Sequence, residues 1–242
     1  MLASIRLLPA ILLLISSTGL LHAGPPSVET APHTPPSDAI ILFDAETNRF
    51  LGKEGGEIDW PVEDGALVST RGGARSNHIV SDVRFTDAQI HVEFQLPESG
   101  PGNSGIYLHG YYELQIYNSH GSDADPKGMM GALYGIAPPA VNASRPAGEW
   151  QTYDILFHAP KRNDDGTVAE PGSVTALLNG VLVQDHTEIT DPVSQYHPYR
   201  HQSTDYLAGV QEEMFATGAG PVFLQDHDAP VKFRNVWIRM LE

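Results

Sequence analysis

The sequence predicts an all-β domain of two antiparallel sheets packed face to face, with a short helical insertion. Three observations carry this reading. Apolar residues recur with period two over short runs, as half-buried strands require. Asn179-Gly180 stands between the apolar runs TALL and VLVQ, the strongest short-range hairpin signal in the chain. Neither an internal repeat nor a strand–helix alternation interrupts the pattern. The 23 Gly and 19 Pro are dispersed, as many short strands joined by turns would require.

The N-terminus precedes this domain. Arg6 is followed by an apolar run, Leu7 to Ile15, and small residues lead to Ala23. That order is the pattern of a secretory signal peptide over residues 1–23. Ser16, Ser17, Thr18, Gly19 and His22 break the run before it reaches the roughly 20 residues of a membrane span. Residues 24–37 (GPPSVETAPHTPPS) are Pro-rich and polar, the composition of a linker. The domain proper is expected over 38–242, in a periplasmic or secreted protein with no membrane anchor once the signal is removed.

Within the domain the strands sort residues by parity. Ile90, Val92, Phe94 and Leu96 share one face, and His91, Glu93 and Gln95 the other. Around Gly110, Ile106, Leu108, Leu114 and Ile116 point inward, while Tyr107, His109, Glu113, Gln115 and Tyr117 point outward. Phe223, Gln225 and His227 alternate with Val222, Leu224 and Asp226. Phe233 to Met240 is apolar on both faces and reads as a central strand. A helix is expected over Thr204–Ala216, with Thr204 as cap, Leu207, Val210 and Met214 on one side, and Gly218 as stop. It lies in a long insertion, Glu188 to Gly220, expected to act as a lid over one polar concave face.

Composition excludes several classes of function. Thirty acidic against 14 basic residues give a net charge of −16, which leaves no surplus of cations for phosphates. The absence of cysteine removes disulfides, thiolate metal sites, cysteine nucleophiles and lipidated cysteines together. HExxH, EF-hand, P-loop, GxGxxG and GxSxG patterns are absent as well.

Chemistry concentrates in three stretches. The first, NSGIYLHG (103–110) followed by YELQI (112–116), offers an amide, a carboxylate, an imidazole and phenols on adjacent strands. Such a row suits a polyhydroxylated ligand; an ordinary solvated face with cross-strand pairs is the plainer alternative. The second runs from Leu133-Tyr134-Gly135 to Trp150 and holds aromatic, Pro and Gly residues in a loop; Trp150 there is read either as a pocket wall or as a core cap. The third, GPVFLQDH (220–227), brings Gln225 and His227 toward the face that carries Glu113. A carboxylate and an imidazole so placed can do acid–base work near neutral pH.

Taken together, LFD (42–44), NSGIYLHG, YELQI, the Tyr134–Asn142–Glu149-Trp150 loop, and LQDH followed by VKFRNVWIRML resemble the 3-keto-disaccharide hydrolase family (DUF1080). The resemblance spans about Ile40 to Glu242. It implies a concanavalin-like jelly-roll sandwich and cleavage of glycosides whose glucose ring carries a ketone at C3. Such a ketone acidifies the C2 hydrogen, so a base removes it, the C1 aglycone leaves, and water adds back. The resemblance places Glu113 and His227 as the acid–base pair, with their order open. It gives Asn103, His109, Gln115 and Gln225 to sugar hydroxyls or the C3 oxygen, and Tyr134 and Trp150 to the pocket wall. No cofactor is required; a divalent cation at the C3 carbonyl is conceivable, with Asp226 and Glu113 as oxygen ligands. The paired acids of sandwich-fold glucanases are missing, since the strand reads Glu113-Leu114-Gln115-Ile116-Tyr117. Two departures from the family pattern stand out: Asn118 where an Asp is common, and a longer insertion whose Tyr196, His197, Tyr199 and Tyr206 are available to line one rim. The competing readings are a carbohydrate-binding module without catalysis and a structural domain of the cell envelope.

Overall fold

The alternation read from the sequence becomes layering in the Ala88–Gln95 strand. Ala88, Ile90, Val92 and Phe94 are fully buried between two sheets, while His91 and Glu93 lie on the opposite side of the same strand. The computed structural model describes residues 33–69, 78–123, 125–163, 165–201 and 203–241. The signal-peptide assignment and most of the linker assignment therefore lie outside the described residues.

The larger sheet has eight strands, all antiparallel. Its path runs Val181–Ile189, Gly172–Leu178, Trp150–His158, Ala88–Gln95, Lys232–Met240, Ala66–Val68 and Val62–Glu63, and Ile40–Phe43 also pairs with Lys232–Met240. The strand expected to be central is central: Lys232–Met240 pairs with three neighbours. Asn179 and Gly180 form the expected hairpin, with φ of 54° and 78°. The smaller sheet has five strands in the order Phe50–Gly52, Ile79–Ser81, Val222–Leu224, Ser104–Leu108 and Tyr112–Ile116. Ile106, Leu108, Leu114, Ile116, Val222 and Leu224 of this sheet meet Phe94, Tyr153, Phe157 and Phe233 of the larger one. This is an antiparallel jelly-roll sandwich.

One α-helix, Asp205–Thr217, crosses the insertion. Thr204 caps it by accepting from the Leu207 N–H at 3.2 Å, and Gly218, at φ 74°, returns its N–H to the Met214 carbonyl. Leu207, Val210 and Met214 are its buried residues. Among the described residues no helix is long and apolar enough to cross a membrane.

The outward face of the five-stranded sheet is polar but covered, unlike the solvated face of the plainer alternative. It is not an open, solvated surface: Tyr107, Glu113, Gln115 and Gln225 all lie buried. The insertion and the 131–137 loop cover that face, and Leu133 bridges to Leu114 at the sheet edge.

Candidate active site

Register brings the chemistry together. Tyr107 pairs with Glu113 on one side and with Phe223 on the other, forming one row across three strands. In the next row Gly105 pairs with Gln115, and the Gln225 N–H donates to the Gly105 carbonyl at 2.9 Å. Gly105 contributes no side chain, and the Glu113 carboxylate occupies the space above it. Ser104 Oγ donates to the Gln225 carbonyl at 2.6 Å, which fixes the third strand where it leaves the sheet.

A cavity of about 400 Å³ lies over these rows. Its lining holds Asn103, Tyr107, Glu113, Gln115, Tyr134, Gln225 and His227, and also His78, Tyr196 and His201. Tyr134 reaches it because its N–H donates to the Glu113 carbonyl at 2.8 Å, so the loop is stitched to the strand edge. Tyr196 and His201 approach from the insertion, their rings 6.0 Å apart and nearly perpendicular.

Glu113 is the only carboxylate among the described lining residues. Burial pushes its pKa up to about 7, against the pull of hydrogen bonds from Tyr107 and Gln225. The Tyr107 hydroxyl donates to Glu113 Oε2 at 2.9 Å and accepts from Gln225 Nε2 at 3.0 Å. Burial first, and then the Glu113 charge, hold the Tyr107 phenol well above its usual range, so it stays a donor. Gln225 Oε1 is buried and has no hydrogen-bond partner. Gln115 Nε2 donates to Asn103 Oδ1 at 3.2 Å and holds that amide at the rim.

His78 is a polar group of the lining that sequence reasoning missed. The Asp226 N–H donates to its Nδ1 at 3.3 Å, which places the ring proton on Nε2. Burial, and secondarily the positive charge of His201, Lys53 and His227, lowers its pKa to about 3. The imidazole is therefore neutral and a fixed hydrogen-bond donor.

Two expected site residues lie elsewhere. His109 follows the end of the Ser104–Leu108 strand and enters a turn at φ 54°, so the strand parity no longer applies to it. Its ring is buried against Phe85 and Phe157, and its Nε2–H donates to the Phe85 carbonyl at 2.6 Å. Burial lowers its pKa to about 4. Trp150 begins a strand of the larger sheet, where the Arg234 guanidinium sits 3.8 Å over its ring. Asp226, the conceivable metal ligand, is wholly buried, and its Oδ1 accepts from the Asp228 N–H at 3.2 Å. Of the insertion residues expected at the rim, Tyr196 arrives. His197 and Tyr199 instead pack on Tyr111, and the Tyr206 ring covers Gly55.

A larger cavity, about 960 Å³, opens near His109 at the helix C-terminus. Its charges are already matched: Asp87 with His158 at 2.9 Å, Lys161 with Glu170 at 2.7 Å, and Arg162 with Asp191 at 2.8 Å. It offers no strained or orphaned acid–base group comparable to Glu113.

Comparison with known proteins identifies the family of the chain. The profile of the 3-keto-alpha-glucoside-1,2-lyase-like domain matches residues 38–239. The crystal structure of a candidate glycosyl hydrolase from Parabacteroides distasonis is 34% identical, with TM-score 0.70, over 85% of this chain and 84% of that one. A second candidate glycosyl hydrolase from the same organism shares the fold at 21% identity and TM-score 0.53, over 80% of this chain and 89% of that one. No protein of curated function matches the chain. A profile match across the whole sandwich, together with a relative one-third identical over most of its length, establishes that this chain belongs to the carbohydrate-active 3-keto-alpha-glucoside-1,2-lyase-like family.

Proposed function

We propose that this protein cleaves glycosides of 3-keto-glucose by elimination, with Glu113 as the base that removes the C2 proton. The observation that supports this most is a single buried carboxylate whose pKa of about 7 suits proton abstraction at neutral pH. A glycosidase that attacks C1 directly uses two carboxylates, and the described lining offers one.

The steps balance on the residues present. Glu113 takes the C2 hydrogen as a proton, the electron pair forms a C1=C2 bond conjugated to the C3 ketone, and the C1–O bond breaks. His227, exposed at the cavity rim, gives a proton to the departing aglycone oxygen. Charge that builds on the C3 oxygen meets the Nε2–H of neutral His78, a fixed donor that needs no reorganisation. Gln225, Asn103 and Gln115 line the cavity and hold the sugar hydroxyls. Addition of water then places hydroxyl at C1 and returns the Glu113 proton to C2, while His227 regains its own. The net result is hydrolysis. Tyr196 and His201 stand where the aglycone would leave and select among aglycones. The reading includes export, which rests on the N-terminal pattern of residues 1–23.

The test follows aglycone release from a 3-keto-glucoside beside its unoxidised parent, with and without chelator. Release from the keto compound alone, abolished in Glu113→Gln, is the expected result. Tight binding of either sugar with no release would instead make the protein a carbohydrate-binding module.

A further inference from the structure

On the far side of the sandwich, the outward face of the eight-stranded sheet carries a second polar cluster that the proposed reaction does not use. His91 is wholly buried there, its ring stacked on Trp237 at 5.0 Å and 12° and covered on another side by His33 at 5.1 Å. Its Nδ1 faces Asp154 Oδ1 at 2.7 Å. Its Nε2 has no hydrogen-bond partner, although it is fully enclosed. Glu93 Oε1 lies 3.7 Å from it.

Glu93 is already committed. Its Oε2 accepts from Arg234 Nε at 2.7 Å, and its Oε1 accepts from Asn235 Nδ2 at 2.8 Å and from the His33 N–H at 3.1 Å. Asn235 Nδ2 also donates to the His33 carbonyl at 2.8 Å. Both backbone groups of His33 are therefore pinned, and its imidazole is delivered to His91 by main-chain anchoring. One ligand atom from each of His33, His91 and Asp154 lies within 4.8 Å of the other two.

We propose that His33, His91 and Asp154 form a binding site for a divalent transition-metal ion of the zinc class. Two imidazoles and one carboxylate are the donor set such ions take, with a water completing four-coordination; calcium and magnesium want oxygen ligands throughout. With the ion on His91 Nδ1, where Asp154 Oδ1 already lies 2.7 Å away, the other ring nitrogen has the Glu93 carboxylate behind it at 3.7 Å. A carboxylate behind a ligating histidine fixes its tautomer and orientation. Bound metal would tie the segment at His33 to the sheet through side chains as well as backbone.

The metal-free alternative is a charged His91 paired with Asp154 and Glu93, and experiment separates the two. Tag-free, metal-stripped protein is titrated with Zn²⁺ at pH 8 against a chromogenic chelator, and Co²⁺ is added separately to read its visible absorption. One equivalent of Zn²⁺ is expected, weakened about tenfold or more in His33→Ala and in Asp154→Asn. His186→Ala, which removes an exposed histidine beside Asp185, should leave it unchanged. The Co²⁺ bands of a four-coordinate ion should appear in the wild type and vanish in Asp154→Asn. No stoichiometric binding, or equal binding by wild type and His33→Ala, overturns the proposal. Because His33 is exposed, loss of fold does not confound that variant. None of these readouts involves turnover, so the outcome is independent of the catalytic assignment.

Discussion

Gly105 and Glu113 compete for one volume. A β-carbon built at residue 105 would lie 2.5 Å from Glu113 Oε1, closer than such atoms ever come. The backbone of Gly105 does not need glycine, since its φ is not among the positive values. The glycine is there to make room for the carboxylate. Gly105→Ala should therefore keep the sandwich and displace Glu113, lowering kcat/KM for a 3-keto-glucoside by about 100-fold. Turnover assays beside a thermal melt check this, and wild-type turnover in the variant would remove Glu113 from the mechanism as argued.

The raised pKa of Glu113 has a sign in stability. In the unfolded chain the carboxyl ionises near its ordinary value of 4.5; in the folded chain it holds its proton to about 7. The favourable contribution is full below the unfolded value and is lost as pH rises through the folded one. Glu113→Gln cannot ionise. It should gain stability over wild type between about pH 5 and 8, reaching on the order of 3 kcal/mol. Denaturant unfolding at pH 5 and pH 8 reads the difference, and a constant gap would contradict it.

Tyr107→Phe removes the donor at 2.9 Å from Glu113 and one acceptor of Gln225 Nε2. Loss of a bond to the ionised form moves the carboxyl pKa further up. The acid limb of the kcat/KM–pH profile should shift to higher pH, with a stability cost of about 1–3 kcal/mol.

His109→Asn keeps a residue type that tolerates positive φ and removes the bond to the Phe85 carbonyl. Unfolding should show a loss of about 1–3 kcal/mol with turnover per folded molecule unchanged. A specific loss of turnover would return His109 to the site.

Tyr196→Ala and His201→Ala should leave the melting temperature nearly unchanged, because Tyr196 is half-exposed and His201 exposed. The effect is expected in the ranking of aglycones by kcat/KM. An unchanged ranking would mean that the insertion does not touch substrate.

Strand parity made most of this site legible in the sequence. Tyr107, Glu113, Gln115 and Gln225 alternate with core residues, and register on three adjacent strands did the rest. Parity failed at His109 because a positive-φ turn ends the strand one residue earlier. It was silent on His78, which reaches the cavity through a tertiary bond from the Asp226 N–H. Trp150 drew attention by residue type, yet its partner Arg234 lies 84 positions away on a strand that periodicity could not orient. Burial of the polar face was also invisible locally, since the cover comes from the insertion and from the Leu133 bridge to Leu114.

The sandwich keeps its two polar faces on opposite sides of one apolar core. Glu113 and its cavity lie outside the five-stranded sheet, while the backbone of His33 is clipped to Glu93 and Asn235 outside the eight-stranded one. His33 therefore lies across the apolar core from the cavity, so a support attached at that point would sit outside the sheet opposite Glu113.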